Sequence, residues 1–157
     1  RRPVAVEPLV AKLVGAMAKV YRDRHIQFET ELGNASFLGD ERDLMEMLGN
    51  LMDNGCKYGA GKVRIRIANG GKEGGQSDER QDRSRNAALS IVVEDNGKGI
   101  PPQIREAILQ RGIRADSREP GQGIGLAVVA EIAERYQGEI AFGDSPLGGA
   151  RVELLLN

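Results

Sequence analysis

Apolar residues recur at four-residue steps near the start of the chain, at Leu9, Leu13, Met17 and Tyr21, with Val10, Val14 and Val20 widening the stripe. That period belongs to one face of a helix, so an amphipathic helix is predicted from about Glu7 to Arg22. From His25 to Leu32 the period changes to two, setting Ile26, Phe28 and Thr30 on one side of a strand, and Ser36 to Gly39 is expected to be its short partner. Asp40 is a good N-cap ahead of Leu44, Met47, Leu48 and Leu51, which predicts a second helix to about Tyr58, stopped by Gly59 and Gly61. Val63, Ile65 and Ile67 alternate in KVRIRIA, and Leu89 to Glu94 is a β-branched run suited to a central strand. Pro101 to Leu109 predicts a short helix and Ile124 to Tyr136 a longer one, ended by Gly138. Glu139 to Phe142 and Ala150 to Leu156 read as a closing hairpin around SPLGG.

Two stretches break this regularity. Residues 69–86 lack any large apolar side chain and are rich in glycine and charge, so burial there cannot repay the entropy of ordering, and a mobile hairpin loop is expected. Residues 110–122 read as a long polar loop of the kind that forms lids. The order of elements gives a mixed sheet with an apolar face that needs helices over it, hence a two-layer α/β sandwich in one domain over 1–157.

Charge narrows the chemistry. With 22 basic and 23 acidic side chains the net charge is -1, which leaves no cationic excess for a nucleic-acid backbone. One cysteine, Cys56, and one histidine, His25, exclude an internal disulfide and a Cys/His metal site, and a reducing compartment is expected. No apolar run approaches the roughly 20 residues that cross a bilayer, so membrane insertion by this stretch is not expected. An opening Arg1 without methionine is what a piece of a longer chain would show.

Three polar constellations interrupt the apolar patterning. Glu46, Asn50 and Asn54 are four apart on the second helix and Lys57 follows by three, so a carboxylate, two amides and an ammonium lie near one face. Such a strip suits a metal and phosphates, and equally suits a solvated helix face. Asp95 ends a strand and opens DNGKG, where Gly97 and Gly99 permit close backbone approach and the carboxylate can accept from an exocyclic amine; an ordinary Asn-Gly turn would look the same. GQGIGLAV opens a helix from Gly121, Gly123 and Gly125, whose N–H groups suit a phosphate or form a hinge. It is not the dinucleotide fingerprint, because a loop precedes it and the third glycine comes one residue early, and no P-loop occurs.

The joint order ExxxNxxxNxxKY, DxGxG, GxGxGL is far more specific than any one part. In that order, over nearly the whole chain, it resembles the ATP-binding domain of sensor histidine kinases, within the wider group that includes gyrase, Hsp90 and MutL ATPases. Lys57 and Tyr58 favour the kinases.

The resemblance implies a Bergerat-type fold with ATP and Mg²⁺ as cofactors. It implies that Asp95 binds the adenine amine, with Gly97, Gly99, Ile100, Tyr58 and Leu126 around it. Asn50 and Gln122 would hold Mg²⁺, and Asn54 and Lys57 would approach the phosphates. Gly121, Gly123 and Gly125 would line them, and Arg114 and Arg118 would reach them from the lid. Glu46 occupies the position that activates water in the related ATPases. Leu109 stands where many kinases have phenylalanine, and Glu119 follows Arg118 before the lid proline.

The partners implied are a dimerisation and histidine-phosphotransfer domain of the same protein and a response regulator. The parent would be a homodimeric bacterial inner-membrane protein with this part, itself monomeric, in the cytoplasm. Two other outcomes of the same site are a nucleotide-sensing module without phosphoryl transfer and an ATP-hydrolysing clamp.

Overall fold

The structure, a computed structural model, describes residues 3–69, 88–109 and 124–157. Its elements are β1 (Pro3–Ala5), α1 (Val6–Val20), a 3₁₀ turn (Arg22–Arg24), β2 (Gln27–Glu31), β3 (Ser36–Leu38), α2 (Glu41–Tyr58) and β4 (Lys62–Ala68). After these come β5 (Leu89–Asp95), α3 (Pro102–Leu109), α4 (Ile124–Arg135), β6 (Glu139–Asp144) and β7 (Ala150–Leu156). The expected loop over 69–86, apart from Asn69, and the expected lid over 110–122 lie outside the described residues.

Five strands form one mixed sheet in the order β2-β4-β5-β7-β6. β2 runs parallel to β4 and the remaining neighbours are antiparallel. The period-two pattern explains how the sheet divides. Register pairs Ile65 with Val93, Ile67 with Ile91, Val93 with Val152 and Ile91 with Leu154, all buried and all on one face. Several alternate positions, Arg64, Arg66, Glu94, Arg151 and Glu153, carry charge. Glu94 is fully buried on the opposite face, where Arg64 at 2.9 Å, Arg66 at 3.1 Å and Arg151 at 3.9 Å surround it. That face needs no helix, because its carboxylate is neutralised by neighbours in the sheet itself.

Helices cover the apolar face, which gives the two-layer α/β sandwich. In α2 the buried positions Leu44, Met47, Leu48, Leu51, Met52, Gly55 and Cys56 form the stripe, and α4 adds Leu126, Val129, Ile132 and Ala133. Gly55 lets α2 settle on the sheet, since a Cβ there would lie 3.3 Å from Val63 Cγ1 and 3.4 Å from Val93 Cγ1. Asp40 caps α2 by accepting from Arg42 N at 2.7 Å. Tyr136, just beyond α4, donates to Asp43 Oδ2 at 2.5 Å and accepts from Asp40 N at 3.1 Å, so the end of one helix holds the start of the other.

Two expectations need correction. β3 does not pair with β2; it pairs antiparallel with β1, in a separate two-stranded sheet where Val4 faces Phe37. β1 was not expected, because three residues are too short to show a period, and β2 instead finds its partner across 35 positions in β4. The first helix begins at Val6, and a 3₁₀ turn with His25 in the left-handed region at φ 50° separates it from β2.

Candidate functional site

Asp95 is the last residue of β5, and the period of two that carries Ile91 and Val93 to the helices carries its side chain there as well. It is 4% exposed. Its Oδ1 accepts from Gly97 N at 2.8 Å and from Ala150 N at 3.1 Å, while its own carbonyl accepts from Gly149 N at 3.1 Å. Among the described residues these bonds leave Oδ2 without a donor, free to accept from something else. Burial pushes the Asp95 carboxyl above the usual carboxylate range, and the two backbone donors pull the other way.

The carboxylate forms one wall of a cavity of about 580 Å³. Asn54 and Tyr58 enter it from the last turns of α2, Gly97, Gly99 and Ile100 from the loop after β5, and Leu126 from α4. Gly97 must be glycine here, because a Cβ would collide with the Tyr58 carbonyl, and Gly99 has φ +83°, which disfavours any side chain. Aliphatic lining from Ile100 and Leu126, a buried carboxylate whose Oδ2 has no donor among the described residues, and the Asn54 amide suit a flat heterocycle bearing an amine.

Asn50 lies one turn before Asn54 and donates from Nδ2 to Glu46 O at 2.8 Å. Gly125 is packed against it, so that a Cβ there would come 2.9 Å from Asn50 Oδ1. Glu46, a further turn back, is exposed. Lys57 is exposed too, with Nζ 5.7 Å from the Tyr58 ring centroid. Thus, among the described residues, Asn54 and Tyr58 of α2 meet Asp95 and its glycine turn at the cavity, and Gly125 packs on Asn50, while Glu46 and Lys57 do not line the cavity. Arg114, Arg118, Gly121, Gln122 and Gly123 lie outside the described residues.

The described residues contain no group of three or more His, Cys, Asp or Glu able to hold an ion. Asn50, one turn before the cavity-lining Asn54, offers a neutral oxygen of the kind that suits Mg²⁺, an ion that keeps waters and phosphate oxygens and takes only one or two protein ligands.

Residues 39–157 match the family described as histidine kinase-, DNA gyrase B-, and HSP90-like ATPase. The chain belongs to that ATPase family. One relative is the sensor protein PhoQ of Escherichia coli (strain K12), 42% identical over 151 residues, an alignment covering 96% of this chain and 28% of PhoQ. The chain therefore spans about 28% of the length of the curated relatives it matches. Among solved structures, the mycobacterial sensor histidine kinase MprB superposes with a TM-score of 0.69 at 26% identity, covering 99% of this chain and 95% of that one. The ATP binding domain of PrrB from Mycobacterium tuberculosis gives 0.71 at 24% identity, covering 98% and 94%, and shares the fold.

Sequence reasoning missed several residues of this ATPase-family cavity. Asn96 Oδ1 accepts from Ala60 N at 2.8 Å and Lys62 N at 3.0 Å, pinning the link between α2 and β4 that forms one rim. Its place in an Asn-Gly turn was a usable signal. Ala150, which lines the cavity and holds Asp95, had none, since its role depends on strand pairing over 55 positions. Arg105, outside the lining itself, donates from Nε to the carbonyl of the lining residue Ile100 at 3.0 Å.

Proposed function

We propose that the chain is the ATP-binding catalytic part of a PhoQ-like sensor histidine kinase, which presents the γ-phosphoryl group of ATP to a histidine on a separate dimerisation domain. The observation that carries this reading is the buried Asp95, with Oδ1 held by two backbone donors and Oδ2 without a donor among the described residues, in a cavity bounded by Asn54, Tyr58 and Ile100. Oδ2 accepts from the adenine amine, and Ile100, Tyr58 and Leu126 contact the ring. Asn54 and Lys57 face the phosphates, and Gly121, Gly123 and Gly125 offer backbone N–H groups to them. Arg114 and Arg118 approach the terminal phosphates, and Asn50 with Gln122 hold Mg²⁺. When bound, Mg²⁺ neutralises charge on the phosphate oxygens. The chain's own part is positioning: phosphoryl transfer asks little covalent work of the protein, and Lys57 with Arg114 adds charge where it develops. Glu46, the position that activates water in the related ATPases, orients the nucleophile in this reading.

The 42% identity with PhoQ supports a parent that is a membrane-anchored homodimer with this part in the cytoplasm, and a response regulator as the next phosphoryl acceptor. No helix among the described residues is long and apolar enough to cross a membrane. The test is incubation of the chain with labelled ATP, Mg²⁺ and the dimerisation hairpin of its parent. Phosphohistidine on the hairpin is expected, with none on the chain alone and none from Asp95→Asn. A parent chain that fails to bind a nonhydrolysable ATP analogue would overturn the reading.

A further inference from the structure

The last carbonyls of a helix have no partner within it, and many helices satisfy some of them by turning into the left-handed region at a glycine. α2 does not turn that way. Gly59 follows it with φ -74° and ψ 172°, an extended exit, and Gly59 N to Gly55 O at 2.9 Å is the bond that closes the helix. Two of the remaining carbonyls are taken by a side chain from elsewhere: Arg24 Nη1 donates to Cys56 O at 3.0 Å and to Lys57 O at 2.6 Å, across 32 and 33 positions. A cation is also the right charge for the negative end of a helix dipole.

Arg24 is itself supported. Its guanidinium carbon lies 5.8 Å from the Tyr21 ring centroid, and Tyr21 OH donates to Asp53 Oδ1 at 2.5 Å, one turn back along α2. Tyr21 and Arg24 therefore grip two successive stretches of the helix end from which Asn54, Lys57 and Tyr58 project. We infer that Arg24 is a positioning residue for the triphosphate end of the nucleotide site, acting through the last turn of α2 on Lys57. This inference rests on the function proposed above, in which Lys57 faces the phosphates. It assigns the Arg22–Arg24 turn, otherwise a mere connection between α1 and β2, a share in nucleotide affinity.

The experiment measures binding of a nonhydrolysable ATP analogue with Mg²⁺, and separately of adenosine, to the parent chain, Arg24→Lys, Arg24→Ala, Lys57→Ala and the Arg24→Ala/Lys57→Ala double variant, with thermal midpoints for each. Loss of the cap is expected to weaken the triphosphate analogue about tenfold and adenosine no more than about twofold, a range set by charge-assisted bonds at a helix end. Arg24→Lys is expected to recover part of the loss, and the double variant to bind no worse than Lys57→Ala alone. Unchanged affinity in folded Arg24→Ala, equal loss of both ligands, or additive effects in the double variant would overturn the inference. If Arg24→Ala does not fold, the same comparison made with Arg24→Lys decides. Failure of the parent chain to bind the analogue would instead remove the reading beneath it.

Discussion

Ala150 donates its backbone N–H to Asp95 Oδ1 across 3.1 Å, joining two residues 55 positions apart. The bond makes the start of β7 part of the site: the carboxylate's orientation is set by sheet pairing and does not depend on its own loop alone. Among the described residues, Oδ2 is then left for a ligand.

Replacing that carboxylate removes the acceptor with little change in shape. Asp95→Asn is expected to weaken binding of a nonhydrolysable ATP analogue by at least about tenfold, the equivalent of one charge-assisted hydrogen bond. Calorimetric titration with Mg²⁺ present checks this, and an unchanged affinity would remove Asp95 from the proposed role.

Titration of Asp95 has a defined sign. Its folded-state pKa is raised by burial, so between the ordinary carboxylate value of about 3.9 and the higher folded value the native state binds more protons than the unfolded state. Its contribution to stability is therefore fully present below the ordinary value and is lost as pH rises through the folded one. Ligand affinity follows the opposite course, because only the ionised form accepts well from an amine. Urea midpoints measured across this window are expected to fall with rising pH by less in Asp95→Asn than in the parent.

Glu94 is expected to be the most costly polar residue of the sheet to neutralise. It is fully buried beneath Arg64, Arg66 and Arg151, whose side chains are 19%, 39% and 22% exposed. Glu94→Gln removes the counter-charge that Arg64 and Arg66 share and leaves Arg151, among the described residues, with Glu153 alone, and it is expected to destabilise by about 2–3 kcal/mol, below the value for fully buried partners because water still reaches the arginines. Arg66→Ala, at the most exposed partner, is expected to cost about 1 kcal/mol or less. Denaturant unfolding of both variants compares them directly.

The Cys56 thiol is buried in α2 and pushed up to about 12, first by burial and then by the Asp53 carboxylate, with Arg24 opposing. Little thiolate exists near neutral pH, so alkylation of the native chain is expected to be slow and to become rapid in urea. Equal rates in both conditions would contradict the packing described for α2.

Much of this architecture was legible in the residues because it follows local periods. Val63, Ile65 and Ile67 announce β4, the Leu44 to Leu51 stripe announces α2, and Asp40 marks its start. The polar strip Glu46, Asn50, Asn54 and Lys57 could be placed on one helix face, but whether it met Asp95 could not be read from spacing, because that depends on how α2 crosses the sheet. Long-range partners were the least legible. β3 found β1, which has only three residues, and the Arg24 contact with α2 leaves no periodic trace. Both are settled by packing between elements distant in sequence.

Glu94 and Asp95 are sequence neighbours with opposite assignments, one sealed among arginines and the other open to the cavity. Because strand side chains alternate strictly, a single-residue insertion early in β5 would turn each to the other face, sending Glu94 to the cavity position of Asp95 and Val93 into the place of Glu94 among the guanidinium groups. The reading frame of this strand is thus a constraint as demanding as the identity of either acid, and length changes there would be far less tolerated than substitutions of similar chemistry.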